Sequence, residues 1–294
     1  MHNDGNRITS PVFVMGPARS GTSLLHSLIC TARDIWTPYR EMHSIYESEI
    51  GAYPNLVKGE SNLLTETHVT PQRKATVRQR LWEESFNVEL FGVKRDFSKF
   101  STLLAKHATL LLKRFHSAIR VADKNPKHCF RIRFLKKIFP DAKFVIIFRE
   151  PRSNINSLIE GWESGGYKTY TLPEGVACDA SIEWSFDLPP GYTEWADSPL
   201  PERCAHQWAG YTNALIDAVE HLPASSVAVL KYNSLVDAPL DVMERVFEII
   251  EVPMDPAVQN HCLSLPVVNS VSSPSPDKWK KRKNEISALV PRQP

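Results

Sequence analysis

The chain has little that would tie a fold together covalently or anchor it in a bilayer. Its five cysteines, Cys30, Cys129, Cys178, Cys204 and Cys262, are scattered and odd in number, with no CxxC pair. That argues against a disulfide framework and a thiolate zinc site, and the thiols read as reduced. The ten histidines include no HxH or HxxxH pair, so metal-dependent hydrolysis gets little support and no metal is expected. No window approaches the run of about 18 apolar residues that a membrane span requires. No Asn-x-Ser/Thr acceptor occurs, and Met1 to Ser10 is polar without the apolar core of a signal peptide, so a cytoplasmic location is the expectation. Nor is there an excess of one charge. The 35 basic and 33 acidic residues leave a net +2, which excludes the global field of a non-specific nucleic-acid or membrane binder.

What is present is a globular chain of 294 residues, 42% hydrophobic, long enough to bury a large core as one domain spanning 1–294. Val12-Phe13-Val14-Met15 is an apolar run that ends in a glycine turn, and Leu24, Leu25, Leu28 and Ile29 then recur at helical spacing. Phe144 to Phe148 is a second apolar run, followed by Ile155, Leu158, Ile159 and Trp162 at helical intervals. Val227 to Leu230 is a third, after which Pro239 opens a helical pattern through Met243, Val246, Phe247 and Ile250. Strands alternating with helices predict an α/β fold with a mostly parallel central sheet and helices on both faces. Residues 72 to 120 read as helical, with Leu103, Leu104, Leu111, Phe115 and Ile119 as core candidates. Trp162 to Trp208 holds four of the seven tryptophans among several prolines and reads as an inserted structured loop. The end of the chain, 270–294, contains the basic run Lys278 to Lys283.

Gly16-Pro17-Ala18-Arg19-Ser20-Gly21-Thr22-Ser23 lies between the first strand and its helix, where backbone N–H groups and a helix N-terminus converge on an anion. The segment resembles a P-loop, but Thr22 stands where nucleotide triphosphatases carry lysine, and the basic residue is Arg19 inside the loop. The second unit places Arg149 at a strand's carboxyl end, where open α/β sheets collect ligands, and Ser157 two turns into the next helix. Either residue alone is an ordinary surface or helical position; together they can clamp one phosphate.

The two segments together resemble the sulfotransferases that use 3′-phosphoadenosine 5′-phosphosulfate (PAPS) and release adenosine 3′,5′-bisphosphate (PAP). Gly16 to Ser23 is similar to their 5′-phosphosulfate loop in its arginine-containing form, known from tyrosylprotein and many bacterial members. Arg149 with Ser157 is similar to their 3′-phosphate motif. Asp123-Lys124-Asn125-Pro126, Phe139 to Phe144 and Lys231-Tyr232-Asn233 also resemble family segments, although Asn233 stands where the family usually has an acidic residue. The resemblance implies a P-loop-like three-layer fold and sulfuryl transfer by in-line displacement to a hydroxyl acceptor, a small molecule or sugar, with no nucleic-acid partner. It further implies that Arg19 and the N–H groups of Ser20, Gly21, Thr22 and Ser23 hold the phosphosulfate, that Tyr232 meets adenine, and that Lys124 lies beside the transferring group. Glu41 is the implied base, with His43 the competitor, since histidine titrates near neutrality. Lys278 and Trp279, with Ser272, resemble a late basic loop that covers the nucleotide; a basic run of this kind also reads as a solvated face. Two rival readings stand beside this one: a P-loop small-molecule kinase, against which the absent lysine counts, and a non-catalytic nucleotide-binding module. The aromatic segment 162–208 is either an acceptor lid or an anchor to the core.

Overall fold

Val12–Met15 forms strand β1 as an unbroken apolar run because both of its faces are covered. Val12 and Val14 point into one buried cluster, Phe13 and Met15 into another. The computed structural model describes residues 7–38, 41–85, 118–176, 181–267, 275 and 277–290. Within these, β1 leads to helix α1 (Thr22–Thr31), β2 (Ile35–Trp36), α2 (Pro71–Glu84), β3 (Arg120–Lys124), α3 (Ile132–Ile138), β4 (Lys143–Phe148), α4 (Pro151–Glu163), the hairpin β5 (Lys168–Leu172) and β6 (Ile182–Ser185), and α5 (Leu200–Val219). Strand β7 (Val227–Lys231), α6 (Tyr232–Asp237), α7 (Pro239–Ile250) and α8 (Pro256–Leu263) follow.

Five strands pair in parallel in the order β2-β3-β1-β4-β7. The chain leaves β1 toward β2 on one side and leaves β4 toward β7 on the other, so the strand order reverses between β1 and β4. Ligands bind at the carboxyl ends of such a crevice. The expected α/β architecture with helices on both faces is present. One face carries Leu24, Leu25, Met243 and Phe247, and the other Phe134, Leu135, Ile155 and Leu158, all buried.

Several prolines start helices here. Pro71, Pro151, Pro239 and Pro256 each occupy the first turn, where no N–H is needed. The segment 162–208 is accordingly less loop-like than its composition implies. It contains the antiparallel β5–β6 hairpin, and Pro199 and Pro201 open the long helix α5. Residues 72–120 are helical as expected through Glu84, but Arg120–Lys124 is a strand; Ile119 is buried, while Leu103, Leu104, Leu111 and Phe115 lie outside the described residues. Cys30, Cys129, Cys204 and Cys262 are free thiols, and Cys178 lies outside the described residues. Among the described residues no helix is long and apolar enough to cross a membrane.

Candidate active site

The loop after β1 is shaped by two glycines that cannot be replaced. A Cβ on Gly16 would stand 2.2 Å from the carbonyl oxygen of Ile147 on β4. Gly21 has φ +104°, and a Cβ there would meet the Tyr232 ring at 2.4 Å. Arg19 itself holds the left-handed value φ 70°, a strained conformation that persists where surroundings over-determine it. Here they do: Asn154 Nδ2 at the start of α4 donates to Ala18 O at 2.8 Å.

Arg19 turns toward α4 and the hairpin. Its Nη1 donates to Tyr167 OH at 2.7 Å and its Nε to Ser157 Oγ at 3.4 Å. Arg149 follows β4, donates to Arg19 O at 3.3 Å and lies 5.0 Å from the Tyr232 ring centroid. The structure therefore brings Arg19, Arg149, Ser157 and Tyr232 together around Gly21, although they lie up to 213 positions apart in sequence. Burial, and more weakly the charge of Arg19, holds the Arg149 pKa below its ordinary value. Among the described residues neither arginine pairs with a carboxylate. Two adjacent guanidinium groups without a counter-charge make a receptor for a polyanion.

Helix α1 supplies the neutral part of that receptor. Its first closing bond runs from Leu25 N–H to Gly21 O, so the N–H groups of Thr22 and Ser23 belong to the first turn, ahead of the helix's own closing bonds. Ser20 differs from expectation, because its N–H closes a turn onto Pro17 O at 3.0 Å. Its buried Oγ has no partner among the described residues.

The other half of the site is built on β3. Lys124 Nζ donates to Ser23 Oγ at 3.3 Å and forms an ion pair with Glu41 Oε1. Glu41 Oε2 lies 3.0 Å from His43 Nε2. Burial alone would raise the Glu41 pKa, but the His43 hydrogen bond and Lys124 bring it down to about 2. Behind the imidazole, Asn125 fixes the tautomer. Its Oδ1 accepts from Lys127 N–H at 3.0 Å, so its Nδ2 donates to His43 Nδ1 at 3.2 Å. His43 must then carry its proton on Nε2 and give it to Glu41. A histidine in this state offers no lone pair to the neighbouring cavity, whereas Glu41 does.

That cavity, about 230 Å³, lies between the two halves. Arg19, Ser23, Glu41 and Lys124 line it together with Tyr167, Phe186 and Asp187. The Tyr167 and Phe186 rings stack at 4.9 Å, and a Cβ on Gly161 would come within 2.4 Å of Phe186. The aromatics of 162–208 divide between two places. Trp184, Tyr192 and Trp195 pack together with Trp162 as a small core under the hairpin, while Tyr167 and Phe186 face the cavity.

Lys278 and Trp279 sit farther from the loop than the other expected contacts. Lys278 Nζ donates to Glu160 at 2.7 Å, and Trp279 lies under Arg152, its ring centroid 5.1 Å from the guanidinium carbon. Both dock on α4, the helix that carries Ser157, and Ser272 lies outside the described residues. Asp187 is a site residue that sequence reasoning missed; an acid between Phe186 and Leu188 in an aromatic stretch gives no signal of its own. Among the described residues no group of three or more acidic, histidine or cysteine side chains is placed to hold a metal.

Comparison with known proteins converges on one family. Protein-tyrosine sulfotransferase A of Caenorhabditis elegans is 23% identical over 266 residues, covering 88% of this chain and 54% of that protein. Protein-tyrosine sulfotransferase 1 of Danio rerio is 24% identical over 203 residues, covering 65% of this chain and 46% of its own. The chain spans about half the length of these curated relatives. The fold matches the sulfotransferase domain from the curacin biosynthetic pathway with a TM-score of 0.52 at 17% identity, over 96% of both chains. The model of the sulfotransferase family matches residues 11–256, and the chain belongs to that family.

Proposed function

We propose that the protein transfers a sulfuryl group from PAPS to an acceptor hydroxyl. The observation that carries this is the pair Arg19 and Arg149 at the sheet's switch point, neither in ion-pair contact with a carboxylate among the described residues, with Arg19 lining the same cavity as Glu41 and Lys124. The residues fit the donor. Arg149 and Ser157 would take its 3′-phosphate, Arg19 with the N–H groups of Thr22 and Ser23 its 5′ end, and Tyr232 its adenine; Lys278 and Trp279 support the helix that holds Ser157. When bound, the donor supplies an activated sulfuryl group, whose bond to phosphate oxygen breaks as the acceptor oxygen bonds to sulfur.

The chain's own groups position the reactants and move one proton. Glu41, with His43 donating to one carboxylate oxygen, accepts the proton of the acceptor hydroxyl at the other. Lys124 is hydrogen-bonded to Ser23 of the anion loop and can give its charge to the leaving group, as Arg19 does. Turning Lys124 away from Glu41 removes one of the two contacts that depress the carboxylate's pKa, which makes it a better base. The phenol of a tyrosyl side chain, suggested by what the two relatives are named for, and a sugar or small-molecule hydroxyl both fit as acceptors. A kinase reading has no support from the family, and a purely binding module leaves Glu41 beside an open cavity without a purpose. The test is sulfate transfer from radiolabelled PAPS to a panel of hydroxyl acceptors, with PAP binding measured by thermal shift. Absence of PAP binding overturns the reading.

A further inference from the structure

The cavity that holds Glu41 carries a second carboxyl group, Asp187, that the proposed chemistry leaves unused. Asp187 follows Phe186, whose left-handed φ of 66° turns the chain inward, and it is only 5% exposed. Its position is fixed from three directions. Tyr211 OH donates to Oδ2 at 2.7 Å and accepts from the Asp187 N–H at 3.3 Å, while the Asp187 carbonyl oxygen accepts from Trp184 Nε1 at 3.1 Å and Gln207 Nε2 at 2.9 Å. Oδ1 accepts no hydrogen bond, and no cation pairs with the carboxyl, among the described residues. Burial raises the Asp187 pKa above its ordinary value, and the charge of Lys127 with the Tyr211 hydrogen bond only partly offsets this. A buried acid that is held rigidly, lacks a counter-ion and borders a cavity is a costly arrangement unless a ligand completes it.

We propose that Asp187 is the acceptor-recognition residue, and that its Oδ1 takes a second O–H or N–H carried beside the hydroxyl that is sulfated. The inference rests on the sulfotransferase reading and narrows its substrate class. With the donor in place, Arg19 and Lys124 face the donor's own negative charge, His43 is turned to Glu41 and Lys168 is paired with Glu183, so the ionisable groups left to the acceptor are the carboxyls Glu41 and Asp187. Such a cavity favours a neutral diol or an amino alcohol over an acceptor flanked by acidic groups. A tyrosyl side chain offers Asp187 nothing, since its phenol has no neighbouring donor.

The test uses the full chain with radiolabelled PAPS and matched acceptors: phenol against catechol and 2-aminophenol, and cyclohexanol against trans-cyclohexane-1,2-diol. The acceptor with the neighbouring donor is expected to win its pair by about tenfold or more in kcat/KM, the worth of one hydrogen bond to a carboxylate. Asp187→Asn keeps an oxygen for Tyr211 and presents N–H where Oδ1 stood. It should collapse that preference toward unity through KM while PAP binding stays at the parental level. A purely structural role would lower melting temperature and leave the ratio in place. Equal rates within each pair for the parent, a preference that survives in Asp187→Asn, sulfation confined to a tyrosine-containing peptide, or normal PAP binding with no diol or amino alcohol sulfated each overturn the proposal. Loss of PAP binding in the parent would instead overturn the sulfotransferase reading beneath it.

Discussion

Glu41→Gln separates catalysis from binding most sharply. Lys124 and His43 both donate to the carboxylate, one to each oxygen. A glutamine can accept from one of them and must turn its own N–H toward the other, so the substitution removes the base and leaves one donor facing a donor. Loss of a positioned general base costs about 10²–10⁴ in rate, or roughly 3–5 kcal/mol of transition-state stabilisation. The fall should appear in kcat with radiolabelled PAPS and any accepted hydroxyl, while the thermal shift produced by PAP is retained, because Arg149 and Ser157 are untouched. Acid unfolding supplies an independent reading. The folded-state pKa of Glu41 is about 2 against an ordinary 4.5, so its contribution is fully present above pH 4.5 and is lost as pH falls toward 2. That contribution is at most about 3 kcal/mol, reduced by solvent screening of a side chain 30% exposed. The stability gap between parent and variant should therefore close across that acid window. A variant that keeps more than about a third of parental turnover, against the loss expected of a general base, would refute the assignment and return His43 to consideration.

Four further outcomes follow from the same geometry. Arg149→Ala should weaken PAP binding by about 2 kcal/mol or more, the cost of deleting one partner of a desolvated ionic contact, and an unchanged PAP thermal shift would remove the 3′-phosphate assignment. Asn125→Asp takes away the N–H that His43 Nδ1 accepts, so the imidazole loses the contact that turns its Nε2–H toward Glu41, and kcat should fall about tenfold, roughly 1.4 kcal/mol, with PAP affinity preserved; an unchanged kcat would contradict the relay. Glu47→Ala leaves Lys127 and Arg131 buried without their shared anion and should cost about 3–5 kcal/mol in denaturant unfolding, with a loss below about 1 kcal/mol counting against the network. Gly161→Ala drives a methyl into the Phe186 ring and should raise the acceptor's KM with PAP affinity preserved, at a stability cost of about 1–3 kcal/mol; a normal KM would show that Phe186 does not shape the cavity.

The sequence shows most where one interaction dominates. Val12–Met15 and Lys143–Phe148 are legible because burial on two faces demands apolar residues without interruption. Pro239–Ile250 is legible because its buried residues, Met243, Val246, Phe247 and Ile250, keep helical spacing. Arg120–Lys124 is not, because a strand with charge at both ends and an aspartate within has only two apolar residues to announce it. Its identity comes from its neighbours, since it pairs with β1 and β2 and buries Asp123 against Tyr46 OH at 2.7 Å and His128 Nε2 at 3.0 Å. The start of α5 is hidden for a different reason: Pro199 and Pro201 carry the same signal at a helix's first turn as in a loop. In the site, Arg19, Arg149 and Ser157 stand out through their motifs. Asn125 lies in a segment that resembles the family, but its bond to His43 spans 82 positions; Asp187 is held by Gln207 and Tyr211, 20 and 24 positions away, and no local pattern marks it.

The hairpin that walls the cavity could sit loosely on the sheet, since its own two strands pair only with each other. A buried ionic cluster prevents this. Tyr170 OH of β5 accepts from Lys127 Nζ at 2.6 Å and Asn62 Nδ2 at 2.7 Å, and donates to Glu47 Oε1 at 3.3 Å. Glu47 in turn holds Lys127 at 2.8 Å and Arg131 at 2.7 Å. Lys127 also donates its backbone N–H to Asn125, the residue that orients His43. One cluster therefore fixes the hairpin that presents Tyr167, the turn that sets the His43 tautomer and the segment that carries Glu41. Two cations around one carboxylate, with Asp187 a second anion at longer range, make a buried ionic cluster that gains little in stability over apolar packing. What it provides is a common anchor for the parts of the cavity, so that a wall whose Tyr167 lies 148 positions in sequence from Arg19 keeps its distance from the proton acceptor.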